Sequence, residues 1–482
     1  MLNLHTVLLL VIFQDGVNSN PDNSLHFVNT NYDEKHKDEI SIEEEHIKEK
    51  QIDKSVKVRE RRSATSCSET IQRSMSSPNL YVFLTVSSLG YVSWSGNVSK
   101  RNLELNWVLP SSRFAQSGDY IGLFKDDPQS YLGSPVVSVN PNSGSYFLTE
   151  EQFPDTSILM LDTELLDQCL FHYWIAYVRE DRVLSVNCIK TRPRWMREMK
   201  DTLGSVPLHS LMIPGTHNSG SHMKLRGVAD DTVWYRYSVN QEEDIWSQLL
   251  LGIRYLDLRV SYDSETQKFW LVHDFVPLNP LSGAIQAVKR FLRSTQELVI
   301  MDFHRFPAGF KHNTRQRHKE LVEYIISELG EFMAPDWLGR TVSLNNLWNL
   351  NRTLIVSYEN GWVESEYETI WPKVHHAWAD TRDTPQLFQF LNRSMELRSE
   401  ATYLWAAMSH LTPSALDVIL NPSGGIRILN NRISRHLSTW YMNMWWDKAN
   451  IVASDFILSN DIISSTIQGN RKREICRSQS LS

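Results

Sequence analysis

Two textures within one chain of 482 residues predict a multidomain protein: an N-terminal antiparallel β-sandwich followed by a parallel barrel of alternating strands and helices. Over 63–192, short runs rich in β-branched and aromatic residues are set apart by Gly, Ser, Asn and Pro clusters, as antiparallel strands are. Over 193–465, apolar strands alternate with stretches of helical period, which favours a β/α barrel over an open sheet. Histidines, carboxylates and an arginine fall at the ends of the later strands, the edge on which such barrels carry active sites.

The elements follow in order. Residues 1–19 contain "VLLLVIF", too short to span a bilayer and followed by small and polar residues, as in a secretory signal peptide. A secreted, extracellular protein is therefore expected. From 20 to 62 the chain is dense in charge and poor in aromatics, as a disordered pro-segment or linker is. It closes on "RERRS", where Arg59, Arg61 and Arg62 resemble a furin-type cleavage signal. In the sandwich region the strands are "LYVFLTVSS", "LELNWVL", "DYIGLFK", "SILML" and "FHYWIAYVR". No acid, base and nucleophile gather there, so docking or targeting is expected rather than chemistry, with no partner legible. The four cysteines predict two disulfides in an oxidising compartment. Cys169 and Cys188 are near enough to link neighbouring strands, which would leave Cys67 for Cys476; spacing does not fix the pairing. Asn97, Asn351 and Asn392 open glycosylation sequons expected on surface loops.

The barrel region begins with "HSLMIPG", ending in a Pro-Gly turn that sets His217 at the strand's lip. "IRYLDLRV" and "KFWLVHDF" follow, then the helix "SGAIQAVKRFLRS" with Ala284, Ile285, Val288, Phe291 and Leu292 on one face. "LVIMDFHRF" is an apolar strand, and the next helix keeps its period through Leu321, Val322, Ile325, Ile326 and Leu329. Strands recur at "TLIVSY", "KVHHAWA", "YLWAAM" and "NIVASDFI", and residues 466–482 read as a flexible basic tail. His217, Asp257, Arg259, His273, Asp302, His304, Asp380 and Asp455 all lie at strand ends. One such histidine is usually structural, whereas two histidines, a fixed cation and carboxylates make an acid–base site.

"IPGTHNSGS", "GIRYLDLRV", "LVHDF" and "ELVIMDFHR", in this order, resemble the X-domain of phosphatidylinositol-specific phospholipases C, in particular single-X-domain animal relatives and bacterial enzymes. The resemblance covers 195–465 and implies an irregular TIM (β/α) barrel that cleaves the glycerol–phosphate bond of inositol phospholipids or glycosylated inositol-lipid anchors. It implies His217 as general base, His273 as general acid, Asp455 as the carboxylate orienting His217, and Arg259, beside Asp257, as the phosphate clamp. Asn218, Glu359, Asp380 and His304 are implied as substrate contacts. The short pattern in "SGDYIGLFKDDP" resembles immunoglobulin-like SKICH modules.

The chain departs from the calcium-dependent branch of that family. Asn218 matches a calcium ligand there, but Arg259 and His304 stand in two other ligand positions, so the oxygen cage for Ca2+ is incomplete. Metal-independent catalysis without a cofactor is expected, with calcium as the alternative. Asp274 replaces a glycine usual after the acid histidine. A magnesium-dependent phosphodiesterase would want carboxylates where Asn218 and Arg259 stand. The expected partner is an inositol phospholipid membrane surface, with "TWYMNMWW" either an interfacial anchor or core. A net charge of −7 with no extended basic face argues against nucleic acid. The alternative function is a catalytically weakened inositol-lipid or glycan-binding protein.

Overall fold

The computed structural model describes residues 80–89, 101–153, 165–222, 236–311, 314–420 and 424–481. The expected signal peptide and pro-segment, the strand at "SILML", Asn97 and Cys67 lie outside these residues.

The N-terminal part is antiparallel, as its alternating sequence requires. One sheet pairs β1 (Tyr81–Val86), β2 (Asn102–Val108) and β5 (Tyr146–Gln152). The other runs β4 (Val137–Val139), β3 (Tyr120–Phe124), β6 (Cys169–Arg179) and β7 (Arg182–Lys190). Val82, Leu84, Leu103 and Leu105 of the first sheet share a buried apolar cluster with Ile121, Leu123, Ile175 and Tyr177 of the second. Cys169 and Cys188 are disulfide-bonded. Cys476 is also disulfide-bonded, and its expected partner Cys67 is outside the described residues.

Eight parallel strands form the second part. They are β8 (Ile213–Thr216), β9 (Tyr255–Asp263), β12 (Val299–Arg305), β13 (Leu354–Tyr358), β14 (Ile370–Pro372), β15 (His375–Ala377), β16 (Trp405–Ser409) and β17 (Ile451–Ser454). The last pairs with the first, Val452 opposite Pro214, so the sheet curls as a TIM-like barrel does; its hydrogen-bonded path ends at β14 and β15. An antiparallel hairpin, β10 (Lys268–His273) and β11 (Val276–Pro280), is added on β9. Ile213, Tyr255, Ile300, Ile355, Ala406 and Ile451 fill the interior as one buried cluster. Helices cover the outside: α1 (Ile245–Leu251), α2 (Leu281–Thr295), α3 (Thr314–Leu329), α4 (Leu344–Leu350), α5 (Thr384–Leu397), α6 (Ala415–Leu420), α7 (Ile426–Thr439) and α8 (Ile462–Leu481). The face of α2 expected to be apolar is the buried one.

Both parts belong to one compact unit, Cys67–Ser482, so no break between units falls at 192. Buried charge joins them: Glu242 bridges Arg101 and Arg427, Glu243 receives Arg101 at 2.9 Å, and Arg435 reaches Glu104 at 2.8 Å.

Two expectations are corrected, and the alternative left open for "TWYMNMWW" is decided. A flexible tail is not found over 466–481: these residues continue α8. Its basic residues are used as donors, Lys472 to the Met442 carbonyl and Arg473 to those of Ser210, Trp446 and Ala449. Asn470 brackets Met212, accepting from its N–H and donating to its carbonyl. "TWYMNMWW" is core: Trp440, Tyr441 and Trp445 are buried around a π-helical turn, and Trp445 donates to Asn392. Asn392 is a half-buried residue within α5 and not on a loop, whereas Asn351 is exposed in the turn that caps α4, as a surface loop would have it.

Candidate active site

Each proposed acid–base residue is presented by a strand that stops abruptly. His217 follows β8, His273 ends β10 and Asp455 follows β17. The next residues, Asn218, Asp274 and Phe456, take left-handed backbone with φ of 45°, 48° and 47°. Asn and Asp tolerate this region, while a phenylalanine there is strained. The reversal turns the chain away and leaves His217 and Asp455 at the barrel's carboxyl edge, while His273 is brought in by β10, which runs antiparallel to β9. Close packing fixes the first turn: a Cβ on Gly220 would fall 2.7 Å from that of Leu271, on the strand carrying His273.

His217 is buried and held at both ring nitrogens. Its Nδ1 donates to Asp455 Oδ1 at 2.8 Å, and Arg259 Nη2 donates to Nε2 at 2.7 Å. A guanidinium can only donate, so Nε2 carries the lone pair. Asp455 is oriented in turn by Asn240 and Asn430, whose amides donate to it at 3.2 and 3.0 Å. His410 stacks on His217 with ring centroids 3.6 Å apart. Gln241 donates to the carbonyls of His217 and Ser454, stitching the two strand ends together.

Arg259 also lies 3.8 Å from Asp257, whose carboxylate accepts the Asn218 backbone N–H at 2.9 Å. Burial pushes the Asp257 carboxyl up, but Arg259 and neighbouring imidazoles more than offset this and hold it below its ordinary value. Burial and then Arg259 push His217 well below the usual histidine range, leaving a neutral base. Burial raises Asp455 to about 6. Burial also lowers His273 to about 4, against the opposing pull of Asp274, 3.7 Å away.

His217, Asp455, Arg259, Asp257 and His273 therefore come together electrostatically at one mouth. Asn218 is adjacent but buried, its amide donating to Asn240. Glu359 is partly exposed, 3.1 Å from Lys373 and 3.5 Å from His304. Asp380 is exposed after β15, and among the described residues nothing bonds it. Of the three positions that match calcium ligands, Asn218 offers an amide oxygen, but Arg259 is a guanidinium that donates to His217 and His304 is an imidazole, a donor set that does not suit calcium.

Sequence reasoning missed Asn240, His410, Asn430 and His376. His410 directly follows β16 and obeys the same strand-end rule that picked out His217. Asn240 lies in an irregular segment where no periodicity signals it.

The chain is similar to curated X-domain proteins. It is 26% identical to the mouse PI-PLC X domain-containing protein 1, over 58% of this chain and 86% of that one. It is 27% identical to the bovine PI-PLC X domain-containing protein 3, over 57% of this chain and 92% of the relative. Among solved structures, a phosphatidylinositol-specific phospholipase C from Staphylococcus aureus matches with a TM-score of 0.45 and 13% identity, over 58% of this chain and 98% of the other. The enzyme from Listeria monocytogenes matches with 0.42 and 17%, over 58% and 98%. No family model matches the chain. The curated likeness supports a phospholipase C-like X-domain for this protein.

Proposed function

We propose that the protein is a phosphatidylinositol-specific phospholipase C-type phosphodiesterase that works without calcium. The observation that carries this is the Asp455–His217–Arg259 chain, with a lone pair at His217 Nε2 and a cation beside it. In the free protein Arg259 occupies that lone pair. An arriving phosphodiester draws the guanidinium onto its oxygens, and the inositol 2-hydroxyl takes its place at Nε2. His217 then removes the hydroxyl proton as the oxygen attacks phosphorus, and Asp455 stabilises the imidazolium. His273 protonates the departing diacylglycerol oxygen, leaving a cyclic inositol phosphate.

Membrane contact falls elsewhere than on the tryptophan cluster. Phe275, two residues past His273, is 63% exposed, and Leu416 and Leu420 of α6, which follows β16, are 64% and 77% exposed. These apolar side chains around the mouth suit insertion into a lipid surface. We read the paired N-terminal sheets as an immunoglobulin-like sandwich, supported by their shared apolar cluster. The Cys169–Cys188 disulfide agrees with secretion and action on outer leaflets.

The test is turnover of phosphatidylinositol vesicles by the full chain in excess chelator. Chelator-resistant release of diacylglycerol is expected. Vesicle binding with no turnover would instead support the lipid-binding alternative.

A further inference from the structure

A second cluster adjoins the first, Asp302 standing in register with Asp257 where β12 pairs with β9, and the proton transfers above do not use it. Asp302 and His304 project from β12, and His376 from β15. Each offers one ligand atom, and the three atoms lie within 4.8 Å of one another. His376 Nε2 is 2.9 Å from Asp302 Oδ2, and the Tyr255 hydroxyl is 2.8 Å from both. The two imidazole rings stack with centroids 3.7 Å apart.

This arrangement is incompletely satisfied by the protein alone. Asp302 is fully buried, yet its Oδ1 has no hydrogen-bond partner, and neither has His304 Nδ1. A buried carboxylate oxygen left unbonded keeps its full desolvation cost. No Lys or Arg side chain among the described residues bonds Asp302; its neighbours are a phenol, imidazoles and a second carboxylate, Asp257. The place calls for a compact cation that takes nitrogen as readily as oxygen.

We propose that Asp302, His304 and His376 form a binding site for a zinc-class divalent cation. Two imidazoles and one carboxylate are the donor set such ions favour, while calcium wants an all-oxygen shell. Three protein ligands leave a coordination position open, and His304, the most exposed of the three, places it toward the mouth. Tyr255, hydrogen-bonded to Asp302, orients that carboxylate from behind. Of these ligands only His304 occupies a position implied for calcium in the resembling enzymes, so the site differs from theirs in place and chemistry.

The experiment uses the full chain stripped with chelator and titrated with Zn2+ by calorimetry and with Co2+ by visible absorption. One equivalent of each is expected, the cobalt spectrum being that of a low-coordinate site, with no displacement by millimolar Ca2+. His304→Gln, at the accessible edge, and His376→Gln should each weaken binding at least about tenfold. His209→Gln, on the outer surface, should leave it unchanged. Absence of saturable zinc binding, binding that survives both ligand variants, or displacement by calcium would overturn the proposal. Circular dichroism of each variant separates ligand loss from misfolding.

Discussion

At the residue scale, His217 is set by its surroundings to be a neutral base and His273 is too easily deprotonated to be a ready acid. The active form needs Asp455 ionised, which is lost as pH falls through about 6, and His273 protonated, which is lost as pH rises through about 4. Both conditions hold together only in a minor population, about one molecule in a hundred at best, so kcat/KM should peak midway, near pH 5. In the lipid complex the phosphodiester anion favours the imidazolium, so the falling limb of kcat should lie at higher pH than that of kcat/KM. A kcat/KM still climbing at pH 8 would show that His273 is not the acid. Arg259→Lys keeps the charge but loses the planar fork, and a rate loss of roughly 10²–10³-fold is expected in a vesicle assay.

At the element scale, the carboxyl ends of the strands carry the proposed chemistry and the opposite ends hold the barrel. Arg254, just before β9, is fully buried with Glu297, just before β12, at 2.8 Å. It also donates to the carbonyls of Arg192, Pro193, Leu249 and Ile253, while Glu297 accepts the N–H groups of Met196 and Arg197. Glu297→Gln leaves a buried cation without its counter-charge and should cost about 3–5 kcal/mol in urea unfolding. A cost below 1 kcal/mol would mean that water reaches the pair. The exposed apolar rim gives a second prediction at this scale. Leu416→Ser with Leu420→Ser should weaken sedimentation with phosphatidylinositol vesicles severalfold while sparing turnover of a soluble, short-chain substrate; an equal loss on both substrates would deny the rim its membrane role.

Strand ends are also where the sequence was most legible. His217, Asp257, Arg259, His273 and Asp455 each sit beside an apolar run whose length announces a strand, so the topology could be read and the convergence with it. Asn240 and Asn430 escaped because their role is to orient Asp455 from an irregular segment and from α7, a relation that exists only in three dimensions. Glu359 and Asp380 rested on strand order alone, and only Glu359 stands beside another site residue. The aromatic run at 439–446 showed an apolar surface without showing what covers it; Phe388 of α5 packs on Trp440 and Trp445. Residues 466–481 looked polar because the buried face of that helix is narrow, with Ile467 and Asn470 turned inward and Arg473 spent on carbonyls.

At the scale of the whole molecule, the N-terminal sheets and the barrel are tied by charges that are themselves out of water. Glu242, between Arg101 and Arg427, is the centre of that tie. The described chain should therefore unfold in one transition by circular dichroism, and Glu242→Gln should shift that transition down by several degrees without dividing it. Two transitions in the unaltered protein would show that the parts are independent. The linkage attaches the sheets to α7 and to the segment before α1, the two stretches whose Asn430 and Asn240 also hold Asp455.

The central claim, that His217 activates the substrate's own hydroxyl, is tested most directly by phosphorus NMR of the products from phosphatidylinositol vesicles in excess chelator, with His217→Ala alongside. A cyclic inositol phosphodiester that forms first, and whose formation falls roughly 10²–10⁴-fold in the variant, is the predicted result. A product that is acyclic from the outset, or a cyclic one formed equally fast by His217→Ala, would contradict the account.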